Sequence, residues 1–162
     1  MKIYTDASTR GKLSGLAYVA TTSNNKEFYK TGITIDQPDN NTAELLAILF
    51  AIDDIQETLQ HNEHITILTD STYAINAIKT GKCRENEEAI VHKIKDMMTA
   101  QKCAILHVKG HCQDGTVLSY FNKRADKMSK VVRKLEEKRL EQDKKERKLL
   151  AIAKKALQTE YF

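Results

Sequence analysis

Four carboxylates carry the chemical content of this sequence. Asp6 follows a short β-forming run, Met1–Thr5, and Asp70 follows a second, Ile65–Thr69. Glu44 falls in the first turn of a helix-forming stretch that opens at Asn41-Thr42-Ala43-Glu44. Asp126 lies four residues after Asn122 in a later helical stretch, and so on the same helix face. In an open α/β sheet, ligands bind beyond the carboxyl ends of the parallel strands, near the switch in strand order. If the first and fourth strands are neighbours, Asp6 and Asp70 meet there and Glu44 leans toward them. Clustered carboxylates repel one another. Hard cations with oxygen ligands, chiefly Mg²⁺ or Mn²⁺, relieve that repulsion. Each acid also has an ordinary structural use. Asp70 could cap the helix after it, Glu44 could partner Asn41 in a capping box, Asp126 could pair with Lys130, and Asp6 could cap a turn. Two strand-end aspartates and two helix acids together exceed what capping requires.

The elements that must position these acids follow from pattern and turn chemistry. After the first strand, Ser14–Thr21 and Glu27–Ile35 are rich in β-branched, aromatic and small residues. The turn signal Ser23-Asn24-Asn25 between them makes a hairpin. Asp36-Gln37-Pro38-Asp39, with the only Pro of the chain, ends that pattern. A helix follows from Asn41 to about Thr58, apolar all round in its middle and therefore buried against a sheet. Ile65–Thr69 is a buried strand, Ser71–Thr80 a helix stopped by Gly81, and Asn86–Ala100 an amphipathic helix. Ala104–Lys109 is the fifth strand, Gly110–Val117 a loop, and from about Ser119 the pattern is helical to near the end. The order βββαβααβα predicts an α/β fold: a five-stranded mixed sheet flanked by helices, with an extended, charged C-terminal helix.

Charge divides the 162 residues unevenly. Residues 1–126 hold 14 Lys+Arg and 16 Asp+Glu, whereas residues 127–162 hold 12 and 6, so the net +4 comes from the end of the chain. A basic appendage on a weakly acidic body suits a polyanionic partner. It also suits a solvated helix whose charges pair at i,i+4, as in Glu141–Lys145 and Asp143–Arg147. Arg133–Lys148 has eight Lys/Arg, five Asp/Glu and only two Leu, too few to bury a face, so this segment projects into solvent. Its apolar end, Leu149, Leu150, Ile152 and Leu157, could pack on the body or a second subunit instead. We divide the chain into a body, residues 1–130, and a charge-dense helical extension, residues 131–162. The longest apolar run, Leu45–Ile52, is far below the ~20 residues of a membrane span, which rules out a transmembrane span, and no membrane partner is expected. Three Cys at irregular spacing argue against a secreted disulfide scaffold and for a cytoplasmic setting. Cys83, Cys103, His107 and Cys112 fit no zinc finger or ribbon spacing.

Five motifs in order, YTDAS (Tyr4–Ser8), NNTAELLAI (Asn40–Ile48), LTDSTYAI (Leu68–Ile75), VKGH (Val108–His111) and NKRADKMS (Asn122–Ser129), resemble type 1 ribonuclease H over roughly residues 1–130. The resemblance implies a ribonuclease H-like fold. It implies endonucleolytic hydrolysis of the RNA strand of RNA–DNA hybrids by a two-metal mechanism, leaving 5′-phosphate and 3′-hydroxyl ends. It places two Mg²⁺, with Mn²⁺ as a substitute, on Asp6, Glu44, Asp70 and Asp126, and makes His111 a mobile loop histidine able to carry a proton. Ala7, Ser8, Asn40 and Asn122 match substrate-facing positions. A monomer is expected. Alternatives are another nuclease of this fold, cutting DNA or other RNA, and a non-catalytic hybrid-binding module, which would have no need of four acids. The chain departs from the family in several places. It reads Asp-Ala-Ser where Asp-Gly-Ser is common, and His107 stands where many members have Trp. The loop from His111 to Asp126 is longer. No extended Lys/Trp-rich insertion, the basic handle of some members, occurs between Asp70 and His111.

Overall fold

Five strands form one sheet in the order β3-β2-β1-β4-β5 in the computed structural model, which describes residues 1–24, 26–36, 39–56, 64–110 and 115–159, with side chains to residue 152. β1 (Lys2–Arg10), β2 (Leu13–Thr21) and β3 (Glu27–Ile35) make an antiparallel meander. β4 (Thr66–Thr69) pairs parallel with β1, and β5 (Ala104–His107) pairs parallel with β4. The helices are α1 (Asn40–Gln56), α2 (Thr72–Thr80), α3 (Glu88–Ala100, preceded by a 3₁₀ turn at Glu85–Glu87) and α4 (Val117–Thr159). The sheet is mixed, as the order of elements predicts.

Strand periodicity divides the core between two faces. Ile3, Tyr18, Ala20 and Ile67 point to the α1 side, where they pack with Leu45, Ile48, Ile52 and Ile55 of α1 and with apolar residues of α2 and α3. Tyr4, Val19, Leu68 and Val108 point the other way and pack on Ala125, Phe121 and Met128 of α4. Each such fully buried aliphatic side chain contributes roughly 1.5–3 kcal/mol. The crossing of α4 over β2 depends on Gly15. A Cβ there would collide with the Ser129 carbonyl and with Arg133 and Val132. The missing side chain lets the helix backbone approach the sheet.

Boundaries differ from the sequence reading where tertiary pairing overrides local signals. β1 does not stop before Asp6 but runs through Arg10, because β2 pairs with it along its whole length to Arg10↔Leu13. The parallel pairing with β4 ends at Tyr4↔Leu68, so Asp6 lies in a strand, just past the parallel portion. β5 ends at His107 rather than Lys109. The third helix begins with a 3₁₀ turn, since Arg84 and Glu87 form the box that opens it. Along the described part of α4 the ion pairs are Lys130–Asp126, Arg133–Glu137, Arg139–Glu136 and Arg139–Asp143. The expected pairs Glu141–Lys145 and Asp143–Arg147 are not among the ion pairs of the described residues; Arg139 takes Asp143 instead. No described helix is long and apolar enough to cross a membrane.

Candidate active site

Three of the four acids converge. Asp6, Glu44 and Asp70 each offer an oxygen within 4.8 Å of the others. Asp6 comes from β1 on its α4-facing side, Asp70 follows β4, and Glu44 comes from the first turns of α1. Asp70 is not the cap of α2. That role belongs to Ser71, whose hydroxyl accepts the Ala74 N–H at 3.1 Å, which leaves the Asp70 carboxylate free for the cluster. Nor is α1 capped by Asn41. Asp39 Oδ1 accepts the N–H groups of Asn41 (2.8 Å) and Thr42 (3.1 Å).

The helix start that carries Glu44 is held from outside by a residue sequence reasoning missed. Glu87 is completely buried and accepts from the Thr42 hydroxyl at 2.6 Å, the Arg84 N–H at 3.2 Å and the Tyr73 hydroxyl. Arg84 in turn pairs with the capping Asp39. The only sequence signal was an acid three residues after Arg84, which reads as a solvated helix start.

Burial and mutual repulsion raise the cost of charge in this cluster. Asp6 is 5% exposed and Glu44 4%. Burial, with the Asp126 and Asp70 charges adding to it, pushes the Asp6 carboxyl up to about 7 against the lowering effect of the Ser129 hydroxyl and Lys130. Burial and the charges of Asp6 and Asp70 hold Glu44 well above the ordinary carboxylate range, although it accepts from the Ala7 N–H and from Asn40. Ser129 Oγ lies 2.5 Å from Asp6 Oδ2, and Asn40 Nδ2 donates to Glu44 Oε1 at 3.3 Å. Asn122, 2% exposed, donates through Nδ2 to Asp70 Oδ2 at 3.3 Å. Gly110 lies against Asp70: a Cβ there would stand 2.5 Å from Asp70 Oδ2.

The donor set fits a hard divalent cation. All three converging groups are carboxylates, and two buried oxygens, Glu44 Oε2 and Asn122 Oδ1, have no hydrogen-bond partner. Buried oxygens without partners are costly and suit an electropositive ligand. Asp126 stands outside the convergent three; its carboxylate is 2.5 Å from Lys130 Nζ, the pairing that the i,i+4 spacing suggests, and its charge still reaches Asp6. The other residues singled out in the sequence divide. Ala7 packs its methyl on α1 beside Ala43 and Ala47. Ser8 is buried and accepts from Arg133 Nε at 3.0 Å, so its side chain is already engaged. Asn40 and Asn122 touch the acids directly. His111 lies outside the described residues.

Several solved structures share this fold. LC11-RNase H1, isolated from compost by a metagenomic approach, superposes with a TM-score of 0.68 at 18% identity, over 82% of this chain and 94% of that one. The same protein in complex with an RNA/DNA hybrid gives 0.65 at 18% identity, over 78% and 91%. RNase H1 of the halophilic archaeon Halobacterium salinarum gives 0.64 at 16% identity, over 80% and 93%. No curated protein is similar enough to count as a match. At these identities the structural likeness speaks for the fold, and the sequence itself speaks for the family. The RNase H profile matches residues 1–134, a span that contains every acid of the cluster and ends within α4, and the chain therefore belongs to the RNase H family.

Proposed function

We propose that this chain is a metal-dependent endonuclease that hydrolyses the RNA strand of RNA–DNA hybrids, leaving 5′-phosphate and 3′-hydroxyl ends. The observation that carries the reading is the convergence of Asp6, Glu44 and Asp70 at buried positions, with Glu44 Oε2 left without a partner. Membership of the RNase H family and the hybrid bound by LC11-RNase H1 support the choice of substrate.

In this reading Asp6, Glu44, Asp70 and Asp126 hold two Mg²⁺ ions, with Mn²⁺ as a substitute. When bound, such ions would supply Lewis-acid activation of a water and stabilisation of the leaving oxygen. The protein's own groups do the rest. The N–H of Ala7 and Asn40 orient Glu44, and Asn122 orients Asp70. With the Ala7 methyl and Ser8 hydroxyl turned inward, the backbone of residues 7–8 is what meets RNA 2′-hydroxyls. His111 carries a proton to or from the reacting phosphate. Residues 1–130 make the catalytic unit and 131–162 an extension, consistent with a family match that stops at residue 134. The protein acts as a monomer in the cytoplasm.

The test is cleavage of end-labelled RNA–DNA hybrid, single-stranded RNA and duplex DNA, each with Mg²⁺, Mn²⁺ or chelator, by the wild type and by Asp70→Asn. Metal-dependent cuts confined to the RNA of the hybrid, lost in Asp70→Asn, are expected. A hybrid left intact with both metals, or cleavage that survives Asp70→Asn, would refute the reading.

A further inference from the structure

The body of this protein is weakly acidic, yet its proposed substrate is a polyanion. The distribution of charge along α4 bears on that mismatch. Its arginines and lysines do different work. Arg133 pairs with Glu137, and Arg139 with Glu136 and Asp143. Those acids are therefore neutralised by arginines. The lysines are arranged otherwise. Lys123, Lys127, Lys134, Lys138, Lys145 and Lys148 are all exposed, and none has an ion pair among the described residues; the same holds of Lys144, which lies out of their step. With Lys130 they follow one another at steps of three or four residues, broken only where Glu141 takes the place of a lysine. At 3.6 residues per turn that spacing puts them on one face of the helix.

One end of this face lies beside the proposed site. Lys130 touches the Asp126 carboxylate, whereas Lys123 and Lys127 lie on the side of α4 toward Tyr29 and Thr31 of β3. From there the stripe runs outward past the β1–β2 turn, beyond which α4 leaves the sheet; Arg10 at the end of β1 still reaches Glu137 at 3.9 Å. From Lys123 to Lys148 the rise is about 37 Å, close to one turn of duplex. Six lysines without an ion pair among the described residues, in step with Lys130 beside Asp126, form a row about one duplex turn long that complements a phosphate backbone in charge and length.

We infer that the lysine face of α4 is the surface on which the hybrid flanking the cleavage site rests, a basic handle supplied by the C-terminal helix and not by an insertion in the body. This rests on the proposed substrate for its choice of duplex, but its test does not require cleavage. Binding of fluorescent hybrid is titrated in chelator over a salt series of roughly 50 to 200 mM, where each phosphate contact contributes about 0.9 to the slope of log affinity against log salt. Two charge-matched pairs are compared: Lys138→Gln with Lys145→Gln on the stripe, and Arg139→Gln with Arg147→Gln off it. Glutamine is a good helix former, so α4 is retained in both. The lysine pair should flatten the slope by about 1.8 and the arginine pair by far less. Lys138→Arg with Lys145→Arg should keep the wild-type slope. An unchanged slope in the lysine pair, or an equal loss in both glutamine pairs, would overturn the inference. A protein that binds through the stripe but never cuts would refute the nuclease reading alone; a nuclease with an unaltered slope would refute the stripe alone.

Discussion

Replacing Asp6 by Asn should destroy activity and stabilise the metal-free protein. The native Asp6 carboxyl is pushed up to about 7, against an ordinary value of 3.8. Between those two pH values the folded protein keeps a proton that the unfolded chain has lost. The unfolded state then binds fewer protons, so stability falls as pH rises through this window and levels off above about 7. Each pH unit costs about 1.4 kcal/mol, and a window that wide carries on the order of 4 kcal/mol. The asparagine amide has no charge to bury, keeps an oxygen for the Ser129 hydroxyl and relieves Glu44 of a neighbouring anion. In urea unfolding with chelator, the wild type and the Asp6→Asn variant should be nearly equal near pH 4. The variant should be more stable by several kcal/mol at pH 8. Mg²⁺ at a hundredfold excess over its Kd should return about 2.7 kcal/mol to the wild type and little to the variant. A variant no more stable than wild type at pH 8, or a difference that does not change with pH, would show that burial of the Asp6 charge is not a strain on this fold.

Other substitutions separate positioning from packing. Glu44→Gln keeps the shape and the contact with Asn40 but removes the negative charge and one of the two ligand oxygens, so hybrid cleavage should fall by at least ~10²-fold with no loss of melting temperature. Gly110→Ala forces a methyl onto the Asp70 carboxylate, and kcat/KM should drop at least tenfold while melting shifts little; unchanged kinetics would mean that Asp70 moves aside at no cost. Glu87→Ala leaves Thr42 and Tyr73 without their buried acceptor and should cost about 3 kcal/mol in urea unfolding. His111→Ala should slow turnover by about 10²-fold without abolishing it, whereas a loss as complete as that of Asp70→Asn would make His111 a ligand or a structural residue.

Much of this protein was legible in one dimension. The β-branched runs, the turn at Ser23-Asn24 and the apolar middle of α1 specify elements through local propensity and periodicity, which need no neighbour to be read. Asp6, Glu44 and Asp70 could be picked out as candidate ligands, because the residue types that ligate hard cations are few, and they do converge. What the sequence could not decide was whatever depends on a partner distant in the chain. Asp6 looks like a strand end because its own neighbours turn polar, but β2 holds β1 straight through Arg10. Asp70 and Asn41 look like caps because capping chemistry is local, yet Ser71 and Asp39 won those places once the backbone was set. Glu87 reads as a solvated acid, and only the packing of α1 against the turn before α3 buries it among Thr42, Tyr73 and Arg84. The i,i+4 pairs written into the tail were redistributed as well, since Arg139 can reach both Glu136 and Asp143 and leaves the lysines alone on their face. Residue type and period set which chemistry is available here; burial and competition among partners, which exist only in three dimensions, set which residue performs it.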